Sequence, residues 1–298
     1  MMYLKGLFVF PVHLALQLVN LALWAILVIS FGLIKLIIPF KPLTRVLNTV
    51  MNFCMLAFGK CSVFFIRLFN PVTFDYRVHG EIRRRGWYLM MANHLSYLDI
   101  ILLIEFSSGR IPAPKFFLKK ELIWLPFVGL GAWALDMPFM RRYSSAYVTK
   151  NPHLKGKDIE TTRRYCEKFK AHPTTVINFV EGTRFTYHKH RSKRSPYQFL
   201  LPPKAGGIAF TLAAMGELFT NILDVTLYYP DNTAHPMLAM LSGAMRRICL
   251  DVNIVEVDNN VIGDYFNDEH FKQAFQGWLN NKWHDKDTVI EQLLENQG

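Results

Sequence analysis

The run Met91-Ala92-Asn93-His94-Leu95-Ser96-Tyr97-Leu98-Asp99 decides how this chain is read. It ends the apolar stretch Trp87–Ala92, whose length and large side chains fit a buried strand. The residues from Tyr97 to Glu105 that follow carry a helical apolar period. A His in the turn at the C-terminal end of a strand sits where ligand sites gather in open α/β sheets. Asp99 then has the spacing to orient the imidazole, so His94 and Asp99 read as a general base and its carboxylate. A structural reading competes. Ser96-x-x-Asp99 before an apolar run is also a capping box, which accounts for Ser96 and Asp99 and leaves Asn93 and His94 unused. The two are compatible, because a capped helix would hold Asp99 near His94.

Working outward, residues 72–78, 175–180, 221–229 and 246–257 read as strands, and 115–118 as a short one. Residues 158–170 and 205–215 read as helices, with 270–280 and 288–294 as closing helices. Strands alternating with helices predict an α/β domain around a largely parallel sheet.

The N-terminus is different. Gly6 to Ile34 holds no Asp, Glu, Lys or Arg, giving 29 residues between Lys5 and Lys35. A membrane span needs about 20. No small-residue cleavage site follows, which argues against a cleaved signal peptide. A second apolar stretch, 46–69, is interrupted by Lys60 and Arg67. It either spans or lies in the interface with Lys60 snorkelling. Lys35, Lys41 and Arg45 favour the intervening loop on the cytoplasmic side.

Hydrophobic residues are 51% of the 298 and charged residues 19%, which is apolar for a soluble protein. The net charge of +11 is uneven: Asp251 to Gly298 holds ten Asp/Glu against three Lys/Arg, so the first 250 residues carry +18. A basic body beside an apolar N-terminus suits an anionic membrane surface better than nucleic acid. The basic run Tyr187-His-Lys-His-Arg-Ser-Lys-Arg194 reads as a loop facing such a surface, and its aromatics are too sparse for RNA stacking. His188 and His190 have no Cys or acidic partners nearby, so no metal is expected. Cys54, Cys61, Cys166 and Cys249 form no CxxC pair and read as reduced thiols.

Glu181-Gly182-Thr183-Arg184 also follows a strand. Glycine permits close backbone approach to a ligand, and the Arg184 fork suits a phosphate. An ordinary strand-to-loop turn with a surface Arg explains the same residues. Lys119-Lys120 and Arg141-Arg142 are further cations that matter only if they reach the same phosphate. There is no G-x-S-x-G, so an α/β-hydrolase has no support.

Together these motifs resemble the PlsC, or lysophosphatidate acyltransferase, family of glycerolipid acyltransferases. Its four blocks occur in order: NHxxxxD at Asn93–Asp99, an apolar pair before Arg at Phe139-Met140-Arg141-Arg142, EGTR at Glu181–Arg184, and an apolar strand ending in Pro at Val225–Pro230. Lys119 matches a family Lys ahead of the second block. Leu200-Leu-Pro-Pro-Lys-Ala-Gly-Gly207 resembles the lysocardiolipin-type branch. Trp133–Arg142 and Val176–Arg184 resemble bacterial YihG-type members closely. One departure is Arg141, where many members have Asp; register favours Arg142 as the substrate-facing residue.

The resemblance implies transfer of a fatty acyl group from acyl-CoA or acyl carrier protein to a lysophospholipid hydroxyl, most simply 1-acylglycerol-3-phosphate to phosphatidate. His94 and Asp99 would be catalytic. Asn93, Lys119, Arg142, Glu181, Gly182, Thr183 and Arg184 would bind substrate. No metal or cofactor is implied. The expected organisation is membrane-anchoring helices over 1–70, a catalytic domain over 71–260 and a helical extension over 261–298. The expected location is a bacterial inner membrane, with the catalytic domain facing the cytoplasm. Rival expectations are acylation of another lysophospholipid, a lipid-binding protein without turnover, and a membrane-anchored RNA binder.

Overall fold

The computed structural model describes residues 2–140, 172–258, 260–265 and 267–295, with 163, 166, 167, 169 and 170 between them. The chain begins with two long helices, α1 (Met2–Ile37) and α2 (Lys41–Phe69). Both are long and apolar enough to cross a membrane. They run antiparallel, joined by polar contacts at the middle of α1 and near the connecting turn. Asn20 Nδ2 donates to Ser62 Oγ at 2.9 Å, and Lys35 Nζ to Asn48 Oδ1 at 3.2 Å. Pro42, in the first turn of α2, has no N–H to leave unpaired there.

A six-stranded sheet follows. Its strands are β1 (Thr73–His79), β2 (Tyr88–Ala92), β3 (Pro114–Phe116), β6 (Thr175–Phe179), β7 (Asn221–Tyr228) and β8 (Arg247–Val255), in spatial order β1-β8-β7-β2-β6-β3. All pairings are parallel except β7 with β8. A two-stranded ribbon pairs β4 (Leu118–Lys119) with β5 (Phe139–Met140). Strand β2 is buried along its whole length, as a central strand covered on both faces must be. Its side chains alternate between two cores. Tyr88, Met90 and Ala92 face α2, α3 (Leu98–Ser107), α4 (Val128–Ala134) and α7 (Pro236–Leu241). Leu89 and Met91 face α6 (Ala205–Met215) and α8 (Glu269–Glu295).

Neither end of the chain is an appendage. Met51, Cys54, Met55, Val63 and Ile66 of α2 share the first core with β2, and each fully buried large side chain contributes roughly 1.5–3 kcal/mol. A Cβ on Gly59 would lie 2.6 Å from Ile104 Cγ2, so only glycine lets α2 come this close to α3. Helix α1 is clamped at its far end, where Lys35 Nζ reaches Asp136 Oδ2 at 2.7 Å and Ala134 O at 2.8 Å.

The C-terminal region corrects the expectation of two closing helices. One helix runs from Glu269 to Glu295. Its buried stripe is Phe275, Leu279, Trp283, Lys286, Ile290 and Leu293, at spacings of three and four. The stripe passes through a lysine, which hides its continuity in the sequence. Lys286 Nζ meets Asp224 Oδ1 of β7 at 2.6 Å, both side chains sealed from solvent, and donates to Val225 O at 2.6 Å.

Candidate active site

The tip of β2 is stitched to both neighbouring strands. Asn93 donates to Leu227 O at 2.9 Å and accepts from Leu227 N at 2.8 Å. It is fully buried, so both ends of its amide serve as a brace to β7 and neither faces a ligand. This departs from the substrate-binding role expected for Asn93.

His94 comes next. Its Nδ1 lies 2.8 Å from Asp99 Oδ2. That oxygen also accepts from Leu95 N at 2.7 Å and Ser96 N at 2.9 Å. Ser96 Oγ accepts from Leu98 N at 3.2 Å, in the first turn of α3. One carboxylate therefore serves both the turn that leads into α3 and the His94 imidazole. Because Asp99 is already an acceptor for two N–H groups, the imidazole proton sits on Nδ1 and Nε2 carries the lone pair. Nε2 has no hydrogen-bond partner among the described residues. The ring stacks on Phe179, with centroids 4.0 Å apart.

The second oxygen of Asp99 accepts from the Tyr229 hydroxyl, deep in the core. Burial and the Asp99 charge push the Tyr229 phenol well above its ordinary value, so it stays a donor. Tyr229 was missed in the sequence. It precedes Pro230 in the fourth block, and only the pairing of β7 with β2 brings that strand end to Asp99.

The loop after β6 lies beside this dyad. Phe185 N donates to His94 O at 2.7 Å, joining the two motifs main chain to main chain. Gly182 has φ +68, a left-handed turn that glycine adopts without strain. The Arg184 guanidinium lies over the Tyr97 ring, 3.8 Å from its centroid. Thr183 Oγ1 accepts from Lys189 Nζ at 2.8 Å, and Arg184 O accepts from the same ammonium at 3.0 Å. Lys189 belongs to α5 (Tyr187–Ser192), capped by Thr186, which replaces the expected basic loop with a helix. Its ammonium is held below the ordinary value, first by desolvation and then by the charges of Arg184, Lys193 and Lys119. Lys119, at the end of β4, thus shares one electropositive patch with Arg184. Lys189 is a member that the sequence reading left in the surface run.

Glu181 is the odd member. It is fully buried and neither carboxylate oxygen has a hydrogen-bond partner. Burial, helped by the Asp99 charge, raises it well above the carboxylate range, against weaker pulls from the Leu201 main chain, Lys193 and Lys286. It therefore favours the neutral acid under the loop. Arg142 lies outside the described residues, as does most of the helix expected over 158–170.

Residues 75–229 match the family model described as Acyltransferase. The chain belongs to the acyltransferase family. The match runs from β1 to Tyr229 and contains the first three blocks and all of the fourth but its closing Pro230. This family member is 24% identical over 260 residues to an uncharacterized acyltransferase of Schizosaccharomyces pombe, covering 77% of this chain and 70% of that one. It is 28% identical over 178 residues to the 1-acyl-sn-glycerol-3-phosphate acyltransferase 3 of Arabidopsis thaliana, covering 55% of this chain and 44% of the relative. With the human 1-acyl-sn-glycerol-3-phosphate acyltransferase delta it shares 24% over 214 residues, 68% of this chain and 52% of the relative. The chain thus spans about half the length of these two relatives. The crystal structure of the 1-acyl-sn-glycerophosphate acyltransferase PlsC from Thermotoga maritima superimposes with a TM-score of 0.61 over 98% of both chains, at 17% identity. That likeness is one of fold, and it extends to the α/β sheet with its two N-terminal helices.

Proposed function

We propose that the chain transfers a fatty acyl group from acyl-CoA or acyl carrier protein to the free hydroxyl of 1-acylglycerol-3-phosphate, giving phosphatidate. The observation that carries this is the His94–Asp99 pair with Nε2 unpartnered, tied through Phe185 to a loop bearing Arg184 and Lys189. His94 Nε2 takes the hydroxyl proton as the oxygen attacks the thioester carbonyl. Asp99 stabilises the imidazolium that forms. As the tetrahedral centre collapses, the C–O bond stays, the C–S bond breaks, and the proton passes from Nε2 to the departing thiolate. Arg184, with Lys119 and Arg142, holds the acceptor phosphate, while Gly182 and Thr183 shape the turn beneath it. The reaction needs no cofactor. The bacterial YihG-type sequence likeness supports an inner-membrane enzyme anchored by α1, with its catalytic domain on the cytoplasmic side where thioester donors occur.

The test is turnover by the full chain in liposomes with a matrix of acyl donors and lysolipids. Phosphatidate formation from lysophosphatidate is expected. Preference for a lysolipid with a bulkier headgroup would move the assignment to lysophospholipid remodelling. Lipid binding without turnover of any pair would overturn it. Arg184→Ala should raise the apparent KM for the lysolipid more than for the donor, with Arg184→Lys restoring only part because it lacks the bidentate fork. A cysteine near Ser195 that labels only from the periplasmic side would overturn the orientation.

A further inference from the structure

We propose that Trp124, Leu125, Phe127, Leu130 and Trp133 form a surface that rests on the phospholipid bilayer, and that a lysolipid crosses it on the way to the cations around Arg184. This rests on the reading of α1 as a membrane anchor and names a second, separate contact with the same bilayer.

Beyond the α1–α2 hairpin, from residue 70 onward, nine large hydrophobic side chains are exposed among the described residues, and five of them lie from Trp124 to Trp133. Trp124 is 87% exposed, the highest value for any large hydrophobic residue in the described chain. Clustered apolar exposure of this kind marks an interaction surface. The chain invests in holding it. Phe127 has φ +62, which is costly for a bulky residue. Gly129 packs so tightly on the Ile123 carbonyl that no side chain fits. The segment folds inward through glycines and alanines while its aromatic side chains point out.

Continuity with α1 says what covers it. Gly32 of α1 packs on Ala134, beside the Trp133 ring, and Lys35 bonds the Ala134 carbonyl. On that same end of α1, Leu33, Leu36 and Ile37 are 47%, 64% and 75% exposed. The exposed apolar end of the anchor therefore adjoins the patch, with the Lys35–Asp136 ion pair at the junction. Charge fits as well. Lys119 and Lys120 begin the 3-10 turn that leads to Trp124, and lysines at the edge of a tryptophan-bearing apolar face suit the headgroup level of a bilayer. Lys119, just before that turn, is also one of the cations whose charge reaches Lys189, which puts the patch next to the cations around Arg184.

The test uses the full chain in phosphatidylcholine vesicles whose acyl chains are brominated near the headgroup. The emission lost in Trp124→Phe should be the bromine-quenched part, and Trp24→Phe on α1 is the control. If Trp24 is quenched and Trp124 is not, the surface is not on the bilayer and the proposal falls, including the case where a second copy of the chain covers it. If Trp24 also escapes quenching, the anchor reading fails with it. In turnover, the double variant Trp124→Ser with Leu125→Ser should raise the apparent KM for a long-chain lysolipid in vesicles roughly tenfold. Turnover of a short-chain lysolipid dissolved as monomers should stay at the wild-type rate. Equal loss on both substrates would make the surface a folding element and overturn the proposal. An inactive wild type would fault the reaction assigned above, while the quenching still reads the surface.

Discussion

Asp99 carries two jobs on one buried carboxylate: it closes the turn that starts α3 and it orients His94. His94→Ala should abolish acyl transfer while the denaturation midpoint and membrane association stay at wild type, since general-base catalysis contributes about 10²–10⁴-fold. Retained turnover would remove the mechanism. Tyr229→Phe takes one hydrogen bond from Asp99 and adds no new contact. It should lower kcat about tenfold with KM for both substrates unchanged, and cost roughly 1–3 kcal/mol of stability, read by denaturant titration. A purely structural Tyr229 would show the stability loss with kcat intact. The pairing of His94 with Asp99 was legible because the two lie five residues apart around one turn. The roles of Asn93, Glu181 and Tyr229 were not, because each depends on what another strand places against it.

Among the elements, the hairpin's docking is controlled by a lysine. Lys115 of β3 is partly buried, with Nζ donating to Asn52 Oδ1 of α2 at 3.1 Å and to Leu135 O at 2.7 Å. Burial lowers it from 10.5 to about 8, with Asp136 pulling up and Lys35 pulling down. Below about pH 8 the proton is bound in both folded and unfolded chains. Between about 8 and 10.5 the unfolded chain keeps it and the folded chain has released it, so stability rises with pH across that window. The full gain is on the order of 3 kcal/mol. Denaturation midpoints in detergent should therefore climb from pH 8 to 10, and Lys115→Met should flatten the slope. The strand boundaries near the site were legible to within about two residues, the ordinary uncertainty of element ends. The helix at Tyr187–Ser192 was not, because four of its six residues are basic or His and no apolar period marks it.

At the scale of the whole molecule, the C-terminal helix closes the second core and its buried lysine reaches the central sheet. Lys286→Met should leave Asp224 buried and unpaired, at a cost of about 3–5 kcal/mol by chemical denaturation. Replacing both, with Asp224→Leu added, should recover most of that loss. If the double variant is no more stable than the single one, the pair does more than balance charge. The sequence by itself determined the α/β class, the two apolar N-terminal helices, and the pairing of His94 with Asp99, because apolar period and side-chain spacing are local properties. Tertiary structure alone decided that α2 and α8 are walls of the core, that Lys286 is inside, that the Asn93 amide braces β7, and that the tyrosine just past β7 bonds Asp99. Those outcomes depend on which strands pair and which groups lose water when they do, and no stretch of sequence carries that information alone.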